Sequence, residues 1–150
     1  MRQRNFFKKK IGYVGIAAIL TAFFSKDHPV IGHLLLYWIP PLFAVVMLII
    51  GVVACLAPLP SARMFGIPTR DPGFVIAAGA RDIFIGAVIV ELWRLENFGS
   101  MARLFLIVTI VPLGDAYATY RAGNKAHAAA HAASAIACAI YASLLMWLLT

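Results

Sequence analysis

Apolar residues gather in this chain into four long runs, with polar positions crowded between them. No acidic or basic residue other than His28 and His33 stands between Asp27 and Arg63. Within that stretch, residues 36–57 are long enough to cross a hydrocarbon core as a helix, which takes about 20 apolar residues. Pro40 and Pro41 fall in the first turns of this span, where a missing amide donor costs least. Further spans are predicted over residues 74–93, 104–121 and 126–149, and Trp38, Trp93 and Trp147 sit near span ends, as interfacial anchors do. Short connections between successive spans predict an all-α fold, an antiparallel four-helix transmembrane bundle. The connection PLPSARMFGIPTRDPG, Pro58 to Gly73, reads as an ordered cap or re-entrant corner because of its Pro and Gly content.

Residues 1–35 form a separate basic and apolar anchor segment ahead of the membrane domain, residues 36–150. The 15-residue stretch Ile11–Ser25 is short for a span, and the basic residues before it imitate a signal peptide. It fits a tilted, short fifth span, an uncleaved anchor or an interfacial helix. The Lys/Arg distribution satisfies the positive-inside rule with either choice, at eight against four or nine against three. The orientation of the core is therefore left open by charge.

Composition strengthens the membrane reading. The chain is 63% hydrophobic and 13% charged, against about 45–50% and about 25% in soluble domains. The net charge of +7 does not indicate nucleic acid, since Arg2, Arg4, Lys8, Lys9 and Lys10 precede an apolar stretch and are explained by topology and anionic lipid. Cys55 and Cys138 lie inside apolar runs as buried thiols. A multi-pass membrane protein in contact with the bilayer is expected, with a homo-oligomer compatible and no cofactor implied.

Against this background four residues are out of place: Arg81, Asp82, Asp115 and His131. A charge at membrane depth costs roughly 2.5–3.5 kcal/mol on insertion scales, so such groups face the bundle interior and pair. Threading the spans up and down, at about 1.5 Å per residue, puts all four at one depth, beneath the Pro58–Gly73 connection. His127 lies one turn from His131 on the same helical side. A polar chamber is predicted there, with Gly86 in a small-residue stripe with Ala78 and Asp82, Tyr117 supplying a hydroxyl, and Asp71 over the mouth. Each residue also has a plainer role. Arg81 with either aspartate makes a structural ion pair, the histidines pack or sit at the interface, and Asp71 is a turn residue. HxxxH lacks the inner Glu of zinc proteases, so no metal site is assigned.

Several of these residues fall in motifs. FGIP (Phe65–Pro68), GARDIFIG (Gly79–Gly86), GDA (Gly114–Ala116) and the Ala122, Gly123, His127, His131 pattern resemble a family of small four-helix membrane proteins known as DUF4267, a domain of unknown function. The likeness runs from about Val45 to Leu149 and implies the architecture without an activity. An arginine between two aspartates also resembles the constellation of limonene-epoxide-hydrolase chemistry. Two functions are thus expected. One is a membrane-embedded acid–base enzyme for a lipophilic small molecule, opening an epoxide, cyclising or isomerising. Asp82 and Asp115 share base and acid duties there, Arg81 orients them and His131 relays protons. The other is a non-enzymatic transporter subunit or scaffold, in which the cluster is an ion pair or a proton path.

Overall fold

The computed structural model describes residues 32–67 and 69–150. The expectations for the basic N-terminus and for Ile11–Ser25 lie outside the described residues. Among the described residues every regular element is helical: α1 (Ile39–Leu56), α2 (Pro58–Met64), α3 (Pro72–Arg94), α4 (Phe98–Val108), α5 (Ile110–Arg121) and α6 (Lys125–Leu149). A π-helical turn, Leu34–Trp38, leads into α1. Four stretches are long and apolar enough to cross a membrane: Leu34–Leu56, Pro72–Arg94, Phe98–Arg121 and Lys125–Leu149. The protein is a multi-pass membrane protein. Its outward faces carry large apolar side chains such as Leu42, Ile49, Ile110 and Ile136, which suit contact with lipid.

Local chemistry explains the boundaries. Asp71 caps α3, its Oδ1 accepting from Gly73 N at 2.9 Å with Pro72 in the first turn. Asn97 and Asn124 cap α4 and α6, accepting from the backbone amides of Ser100 and His127. The connection expected to be a cap contains α2, where buried Ser61 donates to the Val53 carbonyl at 3.3 Å and ties α2 under the end of α1. The third span begins six residues before the expected Leu104, because Asn97 starts a helix that accommodates Ser100 and Arg103. It is also broken at Thr109. Pro112 has no amide hydrogen for the Val108 carbonyl and its ring crowds that carbonyl, which separates α4 from α5. At the break the Thr109 hydroxyl donates to the Phe105 carbonyl at 3.0 Å, beside the Thr109 amide.

The helices pack as unequal partners. α1 lies on α3, and α6 lies on both α4 and α5. The α1–α3 seam is closed by glycine: a Cβ on Gly51 would stand 2.6 Å from the Gly79 carbonyl oxygen, and one on Gly86 would meet Leu48 and the Ala44 carbonyl. Gly86 thus meets residues 44 and 48 while Gly79 meets 51, 54 and 55, so these two helices run in opposite directions. Small residues bring backbones together because dispersion, not hydrophobicity, joins helices in lipid.

At the end of the bundle near the α3–α4 turn the core is dense. Ile89, Met101, Phe105 and Leu145 are fully buried. Phe105 stands edge-on to Phe43 at 5.2 Å and to Tyr141 at 4.7 Å, which joins α1, α4 and α6. At the opposite end, beneath α2, the two helix pairs part.

Candidate functional site

Where the pairs part they enclose a cavity of about 420 Å³, within the size range of small-molecule pockets. Its walls are mostly apolar: Phe43, Met47 and Ile50 from α1, Val75 and Ala78 from α3, Val111 and Pro112 from α5. Met64, Phe65 and Ile67, from the end of α2 and the connection after it, close the top. The break between α4 and α5 lies in one wall, since Val108, Val111 and Pro112 all line the cavity.

Into this apolar space project Arg81, Asp82, Asp115, His127 and His131. Arg81 Nε donates to Asp82 Oδ1 at 3.0 Å, and Arg81 Nη2 donates to Asp115 Oδ2 at 3.4 Å. One guanidinium therefore bridges two carboxyls, one on its own helix and one across the bundle on α5. Asp82 is buried, and Arg81 and Asp115 are half-buried. The second oxygen of each carboxyl, Asp82 Oδ2 and Asp115 Oδ1, has no hydrogen bond among the described residues and is not sealed from the surroundings. The site thus has open acceptor positions in a wall of low polarity. The guanidinium, with five N–H donors of which two are spent here, also has donors to spare.

The two histidines do something sequence reasoning did not foresee. His127 Nε2 lies 3.1 Å from the Met64 carbonyl oxygen, and His131 Nε2 lies 3.5 Å from that of Phe65. A carbonyl only accepts, so each Nε2 carries the proton, and in the neutral ring Nδ1 is the bare nitrogen. His127 Nδ1 is buried without a partner among the described residues. The pair holds the α2–α3 connection down onto α6. Gly66 makes the contact possible: its φ is +73°, and a Cβ there would lie 2.5 Å from His127 Cγ.

The other expected residues divide. His127 lines the cavity. Asp71 is exposed and occupied as the α3 cap. Gly86 is buried in the α1–α3 seam against Leu48, away from the cavity. Tyr117 is exposed on α5, outside the cavity lining, with Arg121 over its ring at 6.0 Å. Both depart from the expected chamber for one reason: a helix turns 100° per residue, so sharing a depth does not mean sharing a face. Two lining residues were missed, Ser134 and Cys138, one and two turns beyond His131 on α6. Their spacing, seven from His127 to Ser134 and again from His131 to Cys138, was the available signal. No group of three or more His, Cys, Asp or Glu able to hold a metal occurs among the described residues.

The family profile described as domain of unknown function (DUF4267) matches residues 44–145, and the chain belongs to that family. The match begins within α1 and ends within α6, and takes in Arg81, Asp82, Asp115, His127 and His131. No match was found among curated proteins or among solved structures.

Proposed function

We propose that this DUF4267 protein is a membrane-embedded acid–base enzyme that works on a lipophilic small molecule held in the cavity between the α1–α3 and α5–α6 pairs. The observation that carries this reading is Arg81 bridging Asp82 and Asp115 in the wall of an otherwise apolar cavity. Two carboxyls tied to one guanidinium are suited to hold different protonation states, which lets one act as acid while the other acts as base. One positive charge against two carboxyls also means that the uncharged form of the triad holds a single proton between them. That proton is the one available for transfer.

Epoxide opening is the reaction that fits these groups. The protonated carboxyl gives its proton to the ring oxygen as the C–O bond breaks. The ionised carboxylate takes a proton from a water whose oxygen forms the new bond to carbon. The product is a diol, and one proton remains on the pair, so the triad is ready for the next turn. Cyclisation or isomerisation uses the same exchange, with an internal nucleophile or a C–H in place of water. His131 and His127 serve in this reading as positioning residues that hold the roof, where the sequence suggested a proton relay by His131 and substrate contact by His127.

The test is to incubate the purified protein, in a neutral detergent, with lipophilic epoxides in water enriched in heavy oxygen. Product is sought by mass spectrometry. One heavy oxygen per diol, lost in Asp82→Asn and Asp115→Asn proteins that remain folded, is the expected result. Folded asparagine variants that keep full turnover would end the proposal. A second reading is favoured by one feature: α3 and α5 share no packed seam, and Arg81–Asp115 is the ion pair that joins them. On that reading the triad is a structural tie or proton path in a transporter subunit or scaffold, and the asparagine variants lose stability or transport without any product having been formed.

A further inference from the structure

The chemistry of the cavity wall selects among lipophiles by charge. Arg81 is the cation of the lining, and both carboxyls touch it. With one carboxyl ionised the triad is neutral, and with both ionised it carries one negative charge. Neither state offers a net positive charge to an anion. The histidines add no free donor at Nε2, because those protons face the Met64 and Phe65 carbonyls. The carboxyl oxygens that the wall presents without a partner are Asp82 Oδ2 and Asp115 Oδ1. The remaining N–H groups of Arg81 can meet an oxygen lone pair, yet a carboxylate placed there would stand beside two carboxyls already sharing that guanidinium. Little water is available to weaken such a like-charge contact.

We infer that the cavity takes uncharged or cationic lipophiles carrying one hydrogen-bonding headgroup, such as a long-chain alcohol or amine, and excludes lipophilic carboxylates of the same length. The inference rests on the proposed function only in placing the ligand in this cavity, and it holds with or without turnover. Basic residues stand outside the lining, with Arg63 on α2, Arg121 at the end of α5 and Lys125 at the start of α6 all exposed. They can attract an anion to the rim, so binding in the cavity has to be separated from binding there.

The experiment compares dodecanol, dodecylamine and dodecanoate, near neutral pH, with the full-length protein in a neutral maltoside detergent. The rise in thermal unfolding midpoint with ligand concentration gives each affinity. Only the rise that Ala78→Phe abolishes counts as cavity binding, because Ala78 lines the cavity and a phenyl ring fills it. The alcohol and the amine are expected to bind about tenfold or more tighter than the carboxylate. Asp82→Asn and Asp115→Asn are expected to narrow the gap by letting the carboxylate in. Equal or tighter binding of the carboxylate overturns the inference, as does binding of none of the three. A gap of unchanged size in folded asparagine variants overturns it too, since charge would not then be the cause. The wild-type ranking decides even if neither variant folds. A protein that ranks the ligands as expected but makes no diol refutes catalysis and leaves the charge selection standing.

Discussion

The two ends of this bundle are made from the same four spans and have opposite characters. Near the α3–α4 turn, Phe105, Ile89, Met101 and Leu145 fill the space between helices completely. Beneath α2, the same helices part around about 420 Å³, and most of the polar side chains at membrane depth are there. The closed end is held by aromatic and aliphatic packing that needs no partner beyond itself. The open end is held by an α1–α3 glycine seam, one bridging arginine and two histidine–carbonyl contacts. A bundle closed at both ends would be the more stable, so the open end is the one that gives up stability.

The sharpest way to break this comparison is to remove one side chain from each end. Phe105→Ala empties the point where α1, α4 and α6 meet and is expected to cost about 3–5 kcal/mol. Ile50→Ala, on the cavity wall and only partly buried, gives up fewer packed contacts and is expected to cost well under half as much. Thermal unfolding in one detergent measures both. If the two losses match, the ends do not differ in the way described.

Activity should divide in the opposite sense. Asp115→Asn keeps the size of the side chain and its tie to Arg81 through the amide oxygen, but removes a titrating oxygen. It is expected to lower turnover by about 10²–10⁴-fold while the protein stays folded. Substitutions in the closed end that the fold tolerates, such as Leu145→Met, are expected to leave turnover within about twofold. Gly51→Ala joins the two measures, since its Cβ would meet the Gly79 carbonyl and Ile83 backbone on the helix that carries Arg81. A loss of about 1–3 kcal/mol is expected, accompanied by a fall in turnover as Arg81 and Asp82 shift relative to Asp115.

The same contrast separates what sequence could show from what it could not. Span positions follow from hydropathy, and the Arg81–Asp82–Asp115 meeting follows from depth, because expensive charges have few places to go. The partners of His127 and His131 were hidden, since the Met64 and Phe65 carbonyls have no residue-specific signature and the bond depends on how α2 folds back. Gly86 misled because small residues mark a tight seam as readily as an open space, and only the neighbour, Leu48, distinguishes them. The start of α4 was obscured by Arg103, whose charge lowers local hydropathy without stopping a helix already begun at Asn97.

The remaining effect concerns how the closed end deals with its own irregular backbone. In the π turn the Ile39 amide bonds to the Leu34 carbonyl, five residues back. The Leu35 carbonyl thereby loses its α-helical donor, and the donor that a π register would provide belongs to Pro40, which has no N–H. Tyr141 supplies the missing bond, its hydroxyl donating to Leu35 O from the far side of the bundle. Tyr141→Phe keeps the ring against Phe105 and removes only that donor, leaving a buried acceptor unsatisfied at a cost of about 1–2 kcal/mol. Turnover is expected to stay unchanged, since neither residue lines the cavity. A loss as large as that of Phe105→Ala would mean that the hydrogen bond, not the aromatic packing, closes this end. No loss at all would mean that the Leu35 carbonyl has found another donor.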